Sequence, residues 1–171
     1  MLKRAVVALV GALLVVGVST GNARASVLFE SNIAGKRLEN QEIAGISPDA
    51  AAPWVVAGGE VEIGENGKLE LNLGGLLLLE GTIGPVLTVF ASLVCQQPVL
   101  TGAPTNEVVA STLDVPLSAA GDAEINEAIT LPSSCVAPIV LVRIRLVDVG
   151  FGPVDIEDLG LPPPWIAASG F

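Results

Sequence analysis

The side chains of this chain that could do chemistry are its carboxylates and its two cysteines, because the 171 residues include no histidine and no tyrosine. Without imidazole there is no Ser-His-Asp or Cys-His nucleophile, no histidine-held metal and no imidazole base. A Ser-Lys pair would have to use Lys36 or Lys68. A catalytic lysine must be desolvated to lower its pKa, whereas Lys68 directly follows a turn signal in an alternating, half-solvated strand. Two carboxylates about 5 to 9 Å apart can hydrolyse a glycoside. Glu60, Glu62 and Glu70 are the candidates, but they alternate with Val61, Ile63 and Leu71, which assigns them to an open face where acids are poor proton donors. Sugar clefts also stack rings on aromatics, and only Trp54 and Trp165 stand beside the phenylalanines. Calcium is a better use of such acids, since oxygen ligands alone can hold it. Asp155, Glu157 and Asp158 form the densest candidate set and Asp122 with Glu124 the next, neither with the spacing of an EF-hand loop.

Cys95 and Cys135 are the only cysteines. In an oxidising compartment two cysteines make one bridge, and no CxxC spacing or histidine recommends them as a redox pair or a zinc site. Closing so long a segment restricts the unfolded chain by about 4 kcal/mol on the loop-entropy account.

The compartment follows from the first twenty-five residues. Lys3 and Arg4 begin a basic start, Ala5 to Val18 is apolar, and Ala23-Arg24-Ala25 offers a small-x-small cleavage site, so cleavage is expected between Ala25 and Ser26. The apolar run is fourteen residues, short of the roughly 20 a spanning helix requires, and Ser19 to Asn22 break it. Ser26 rather than cysteine at the cleavage point argues against a lipid anchor. The expected organisation is a signal peptide over residues 1–25, as an N-terminal helix, and one domain over 26–171. Lys3, Arg4 and Arg24 leave with the signal, so five of the eight basic residues face all 18 acidic ones, a net charge of −13. Such a domain is repelled by nucleic acid and by anionic lipid.

The elements that must position these residues read as strands. Val61 and Ile63 alternate with Glu60 and Glu62, Leu69, Leu71 and Leu73 with Lys68, Glu70 and Asn72, and Asn66-Gly67 between them supplies the positive φ angles of a tight hairpin. Leu87, Val89, Ala91, Leu93 and Cys95 share one face, and Val140, Val142, Ile144 and Leu146 alternate with Leu141, Arg143, Arg145 and Val147. Weaker strand signals cover Val27 to Glu30, Trp54 to Ala57, Glu107 to Thr112, Ala123 to Thr130 and Trp165 to Phe171. Leu76 to Leu79 is apolar but too short for a helix. About eight short strands separated by Gly, Pro and Asn breaks predict an all-β fold, a single antiparallel β-sandwich. Ala34 to Pro53 and Gly150 to Pro164 read as polar excursions from that framework. An outer-membrane barrel ending on Phe171 would need aromatic girdles, which four phenylalanines and two tryptophans cannot build.

Several stretches carry a resemblance. Trp54-Val55-Val56, Gly58-Gly59 through Glu65-Asn66-Gly67-Lys68-Leu69, Ala91-Ser92-Leu93-Val94-Cys95, Leu131-Pro132-Ser133-Ser134-Cys135 through Val142, and Trp165 through Phe171 together resemble uncharacterised exported bacterial proteins with one cysteine pair. The hairpin is also distantly similar to the CHRD domain, an extracellular β-sandwich module. That resemblance implies an Ig-like or CHRD-like sandwich; the family's His-x-His strand has no counterpart here. The function expected is that of a secreted or envelope-located, non-enzymatic structural or interaction module, with a protein or cell-surface partner, no nucleic acid and no stable membrane insertion. A calcium-dependent binding module is the alternative, and a carboxylate hydrolase of extracellular polymers the less favoured one.

Overall fold

The computed structural model describes residues 26–37, 42–46, 52–97, 105–144 and 165–169. Residues 1–25, where the sequence suggests a signal peptide, the set Asp155, Glu157 and Asp158, and Phe171 lie outside the described residues. Every regular element among the described residues is a strand. In chain order they are β1 (Val27–Gly35), β2 (Trp54–Val55), β3 (Gly58–Gly64), β4 (Lys68–Gly74), β5 (Leu77–Leu78), β6 (Thr88–Gln97), β7 (Thr105–Ser111), β8 (Val115–Pro116), β9 (Ala123–Ala128), β10 (Val136–Ile144) and β11 (Trp165–Ser169). The strands marked out by alternation are present over the described residues, except that β6 begins after Leu87, which is exposed; Arg145, Leu146 and Val147 lie outside the described residues. β5 and β8 are additions, each of two residues and too short to show a period.

Nine strands join in one sheet, ordered β7-β6-β10-β11-β1-β3-β4-β9 with β8 also beside β6, and β2 pairs with β5 separately. All these pairings are antiparallel. The strand that unites them is β1: Val27 to Asn32 pair with β3, while Ile33 to Gly35 pair with β11. One strand passing between two groups of strands is how a sheet turns a corner. The sheet curls accordingly into a half-barrel. Across its open side the backbone N–H of Leu113, just before β8, donates to Glu127 Oε2 on β9 at 3.0 Å. The chain is therefore all-β and antiparallel, as the sequence implies, with its strand groups hydrogen-bonded through β1 into one curled sheet.

Alternation fills the inside of the curl. Val61, Ile63, Leu69, Leu71 and Ile125 come from β3, β4 and β9, and Val89, Ala91, Leu93, Val140, Val142 and Ile166 from β6, β10 and β11; all are buried in one cluster. Val61, Leu71 and Ile125 lie directly opposite one another across β3, β4 and β9. Each such side chain, fully buried, contributes about 1.5–3 kcal/mol from apolar burial. The period of two implied one dry face per strand, but β6, β10 and β11 are buried on both. Ile43, Val94, Leu141, Trp165 and Ala168 form a second cluster on their far side. A turn bridged by Ile43 and Ile46 packs there, with Trp165 Nε1 donating to the Ile46 carbonyl at 3.3 Å. Arg143, which the alternation assigned to the opposite face from Val142, is thereby buried at 4 % exposure.

The hairpin turn is built differently from the expectation. The Gly67 N–H donates to the Gly64 carbonyl at 2.9 Å, and Gly67 alone has positive φ, at 80°. Asn66 keeps an ordinary φ and instead accepts, through Oδ1, the N–H of Lys68 at 3.0 Å. A type I turn closed by one left-handed glycine fits this pattern. Only glycine fits at 67, because a Cβ there would stand 2.3 Å from the Ile129 carbonyl oxygen, to which the chain turns so closely that Ile129 N–H bonds the Gly67 carbonyl.

Cys95 and Cys135 are joined in a disulfide, 40 residues apart in sequence. The segment it encloses carries β7, β8 and β9, and β9 lies at the other end of the sheet order from β7. The bridge therefore ties the start of β10 to β6 around the longest sideways excursion of the described chain. Replacing both cysteines by alanine is expected to lower stability by about 2–4 kcal/mol. Urea unfolding of the variant against the oxidised parent measures the difference, and the reduced parent should match the variant.

Candidate functional site: an acidic outer face

Residues that alternate with the core of β1, β3, β4 and β9 point outward and meet in rows set by register. Glu30 is opposite Glu62, Glu62 opposite Glu70, and Glu70 opposite Asn126. Asn32, Glu60, Asn72 and Glu124 make the neighbouring row. Side chains directly opposite in antiparallel strands have Cβ atoms about 4.5–5.5 Å apart. The first row thus sets three carboxylates side by side. Lys68, two residues from Glu70 on the same face of β4, forms an ion pair with it, both side chains remaining largely in water. Two clefts open on this face. One, of about 720 Å3, lies at the hairpin end between Ser26, Glu62, Asn66, Lys68 and Glu70, and a smaller one of about 90 Å3 is lined by Glu30, Glu60, Glu62, Glu70 and Asn72.

The carboxylates proposed from sequence for glycoside hydrolysis are therefore brought together, but on a convex, open sheet. Glu60 and Glu62 are exposed and Glu70 half-buried. Trp54 and Trp165, the rings a sugar would stack on, are core residues at 2 % and 1 % exposure. Glu60, Glu62 and Glu70 share neither an apolar wall nor an aromatic platform with them, and these are what general-acid catalysis on a sugar requires.

Asp122 has structural work. Its Oδ1 accepts the Gly75 N–H at 3.1 Å, and its Oδ2 accepts the Ser118 hydroxyl at 3.3 Å while its own N–H donates to Ser118 Oγ at 2.9 Å. Glu124 stands on the outer row two residues on. Among the described residues no three acidic or cysteine side chains converge as a cation site.

The lysines separate sharply. Lys68 is at the surface, whereas Lys36 is fully enclosed, its Nζ 6.0 Å from the centre of the Trp165 ring. The backbone of Lys36 is held on both sides, its N–H to the Ile166 carbonyl at 2.9 Å and its carbonyl by the Trp54 N–H at 2.6 Å. The start of the supposed polar excursion at Ala34 is thus framework: β1 runs to Gly35 and Lys36 continues its pairing. An ammonium over an indole face is attracted by the ring quadrupole. On the neighbouring strand Arg143 pairs with Trp165.

Sequence reading missed three residues that organise the fold's margins. Glu127 faces inward and reaches the Leu113 N–H, and Thr112 replaces a strand partner for Ala91 by accepting its N–H through Oγ1 at 3.0 Å and donating its own N–H to the Ala91 carbonyl at 2.9 Å. Arg143, set with Arg145 in an otherwise apolar run, is the third; the unbroken apolar stretch Ile139 to Val142 before it is the readable signal of burial on both strand faces. Among the described residues no helix is long and apolar enough to cross a membrane. Comparison with protein-family models, with curated proteins and with solved structures finds no match to this chain.

Like charges directly opposite one another weaken a ladder. Glu30→Lys, which places a cation opposite Glu62, is expected to raise the melting temperature by about 1–3 °C at low ionic strength. Calorimetric melting at low salt and in 1 M NaCl checks the cause, because the gain should vanish in high salt.

Proposed function

We propose that this chain is an exported, non-enzymatic structural or interaction module, acting through its surface in the cell envelope or the medium. The observation that carries the reading is the Cys95–Cys135 disulfide, a bond that persists in oxidising compartments and that agrees with the export signal read from residues 1–25. The burial of side chains from both arms in one core cluster supports reading the curled sheet as a variant of an Ig-like or CHRD-like sandwich, and with it kinship with exported bacterial β-sandwich proteins. The arrangement of the acids supports a binding role over catalysis, because the clefts they line are bordered by exposed acids and hold no aromatic platform.

The partner is a protein or cell-surface component, and the negative field of the domain disfavours nucleic acid and anionic membrane. Removal of the signal leaves a domain without stable membrane insertion. The test uses the mature chain, residues 26–171, as bait on culture supernatant and on envelope fractions. Saturable capture of a defined component, lost when Glu30, Glu60 and Glu124 are replaced by glutamine and accompanied by no hydrolysis of envelope polymers, is the expected result. Hydrolysis that follows Glu62 or Glu70 would instead establish the carboxylate enzyme. Isothermal calorimetry with calcium separates the calcium-dependent form: heat and a raised melting temperature at millimolar calcium support it, and the absence of both ends it.

A further inference from the structure

The acidic row Glu30, Glu62 and Glu70 has a cation built into the chain that export would release. We propose that cleavage before Ser26 creates an α-ammonium that docks beside Glu62 and Glu70, so that removal of the signal locks the first strand onto the hairpin. This inference rests on the export reading for the cleavage itself. The docking rests on geometry.

Ser26 immediately precedes β1 and is already held at the hairpin. Its carbonyl accepts the Glu65 N–H at 2.9 Å, and the next residue, Val27, pairs with Gly64. Ser26 also lines the cleft whose other walls include Glu62 and Glu70. A residue tethered there by its carbonyl carries its nitrogen within the same small region. In the uncleaved chain that nitrogen is a neutral amide. In the cleaved chain it is an amine that ordinarily titrates at about 7.7–8.0 and is charged below that range.

The titratable groups that line the cleft with Ser26 are Glu62 on β3 and Lys68 and Glu70 on β4; Glu65 in the turn is bonded to the Ser26 carbonyl through its backbone N–H, and Glu30 on β1 lies opposite Glu62. Four are acids. Lys68, the one lysine or arginine lining the cleft, is already paired with Glu70, which leaves Glu62 between two like charges. A second cation at Ser26 complements that row, and carboxylates near an amine favour its charged form and raise its pKa. An amine with a raised folded-state pKa contributes stability that is present below its unfolded value and is lost as pH rises through the folded value. The tightened state therefore loosens as the medium turns alkaline.

The consequence concerns β1, the strand that joins the two sheet groups. A lock at its first residue acts at the end of the ladder with β3, so cleavage and closure of the corner become one event. All described strands and the disulfide lie within residues 27–169, so the mature chain contains the folding unit.

The test compares mature chain 26–171 carrying a free α-amine with the same chain acetylated at Ser26. NMR titration of the α-amine should place its pKa at least about half a unit above the ordinary ~7.7–8.0. Acetylation should lower the melting temperature by about 1–3 °C in low salt. Glu62→Gln should return the amine to its ordinary pKa and make the melt insensitive to acetylation. An amine that titrates at the ordinary value in both the parent and Glu62→Gln overturns the docking, even if export is established. Amino-terminal sequencing of protein recovered outside the cell should begin at Ser26; a different first residue overturns the cleavage reading and with it the maturation step, whatever the titration gives.

Discussion

The dual pairing of β1 is the constraint on which the rest of the structure depends. Its first six residues bond to β3 and its last three to β11, so the two groups of strands cannot slide or separate without breaking one of the two ladders. Register then propagates outward from it. Because side chains alternate with a period of two, fixing Phe29 opposite Ile63 and Ser31 opposite Val61 decides which residues of β3 point inward. β3 passes that decision to β4, and β4 to β9, which is why the acids of four strands emerge on one face in aligned rows. The acidic face and the apolar interior are thus two results of a single register.

At its other end, β1 leads into an asymmetry between the arms. The arm of β3, β4 and β9 has one wet face and one dry face, whereas β6, β10 and β11 are dry on both because Ile43 and its turn cover Leu141 and Trp165. A strand buried on both sides reads as a nearly continuous apolar run. Thr88 to Cys95 and Val136 to Ile144 have that character, interrupted by Ser92 and Arg143. Ser92 shares its hydroxyl with Ser111 at 2.9 Å, which satisfies the polar atom inside. The second arm is therefore the half buried on both faces, and it is also the half the disulfide braces.

Much of this was legible in the sequence, and the parts that were not share a cause. Alternation located the strands, put Cys95 on the dry side of β6, and put Glu60 and Glu62 in water, because these depend only on local period. Alternation places Leu141 and Arg143 on the face opposite Val140 and Val142 but does not reveal that this second face is covered, and composition places Lys36 in a polar excursion. Both shortfalls concern contacts between residues far apart in sequence. The turn was misjudged on a finer scale: Asn66-Gly67 signals a hairpin, but whether one or both residues take positive φ is set by the approach of Ile129 from β9, which no local rule contains. The acidic face was readable as separate exposed residues. Its order in rows was not, because row membership requires the register of four strands.

The placement of charge gives the net −13 of residues 26–171 a spatial meaning. Two of its five basic residues, Lys36 and Arg143, are enclosed, and Lys68 is paired with Glu70. Unit charges 4 Å apart interact by about 1 kcal/mol in bulk water and by about 4 kcal/mol at the effective dielectric of a protein surface region. A row of carboxylates is tolerable only where water and salt screen it, which is where Glu30, Glu60, Glu62 and Glu124 stand. Enclosed cations cannot help to screen that row. The field outside the sheet is consequently more negative than a uniform spread of the same charges would make it. Any charged molecule near this face meets that field before it meets apolar surface, because the apolar side chains of β3, β4 and β9 are turned into the core.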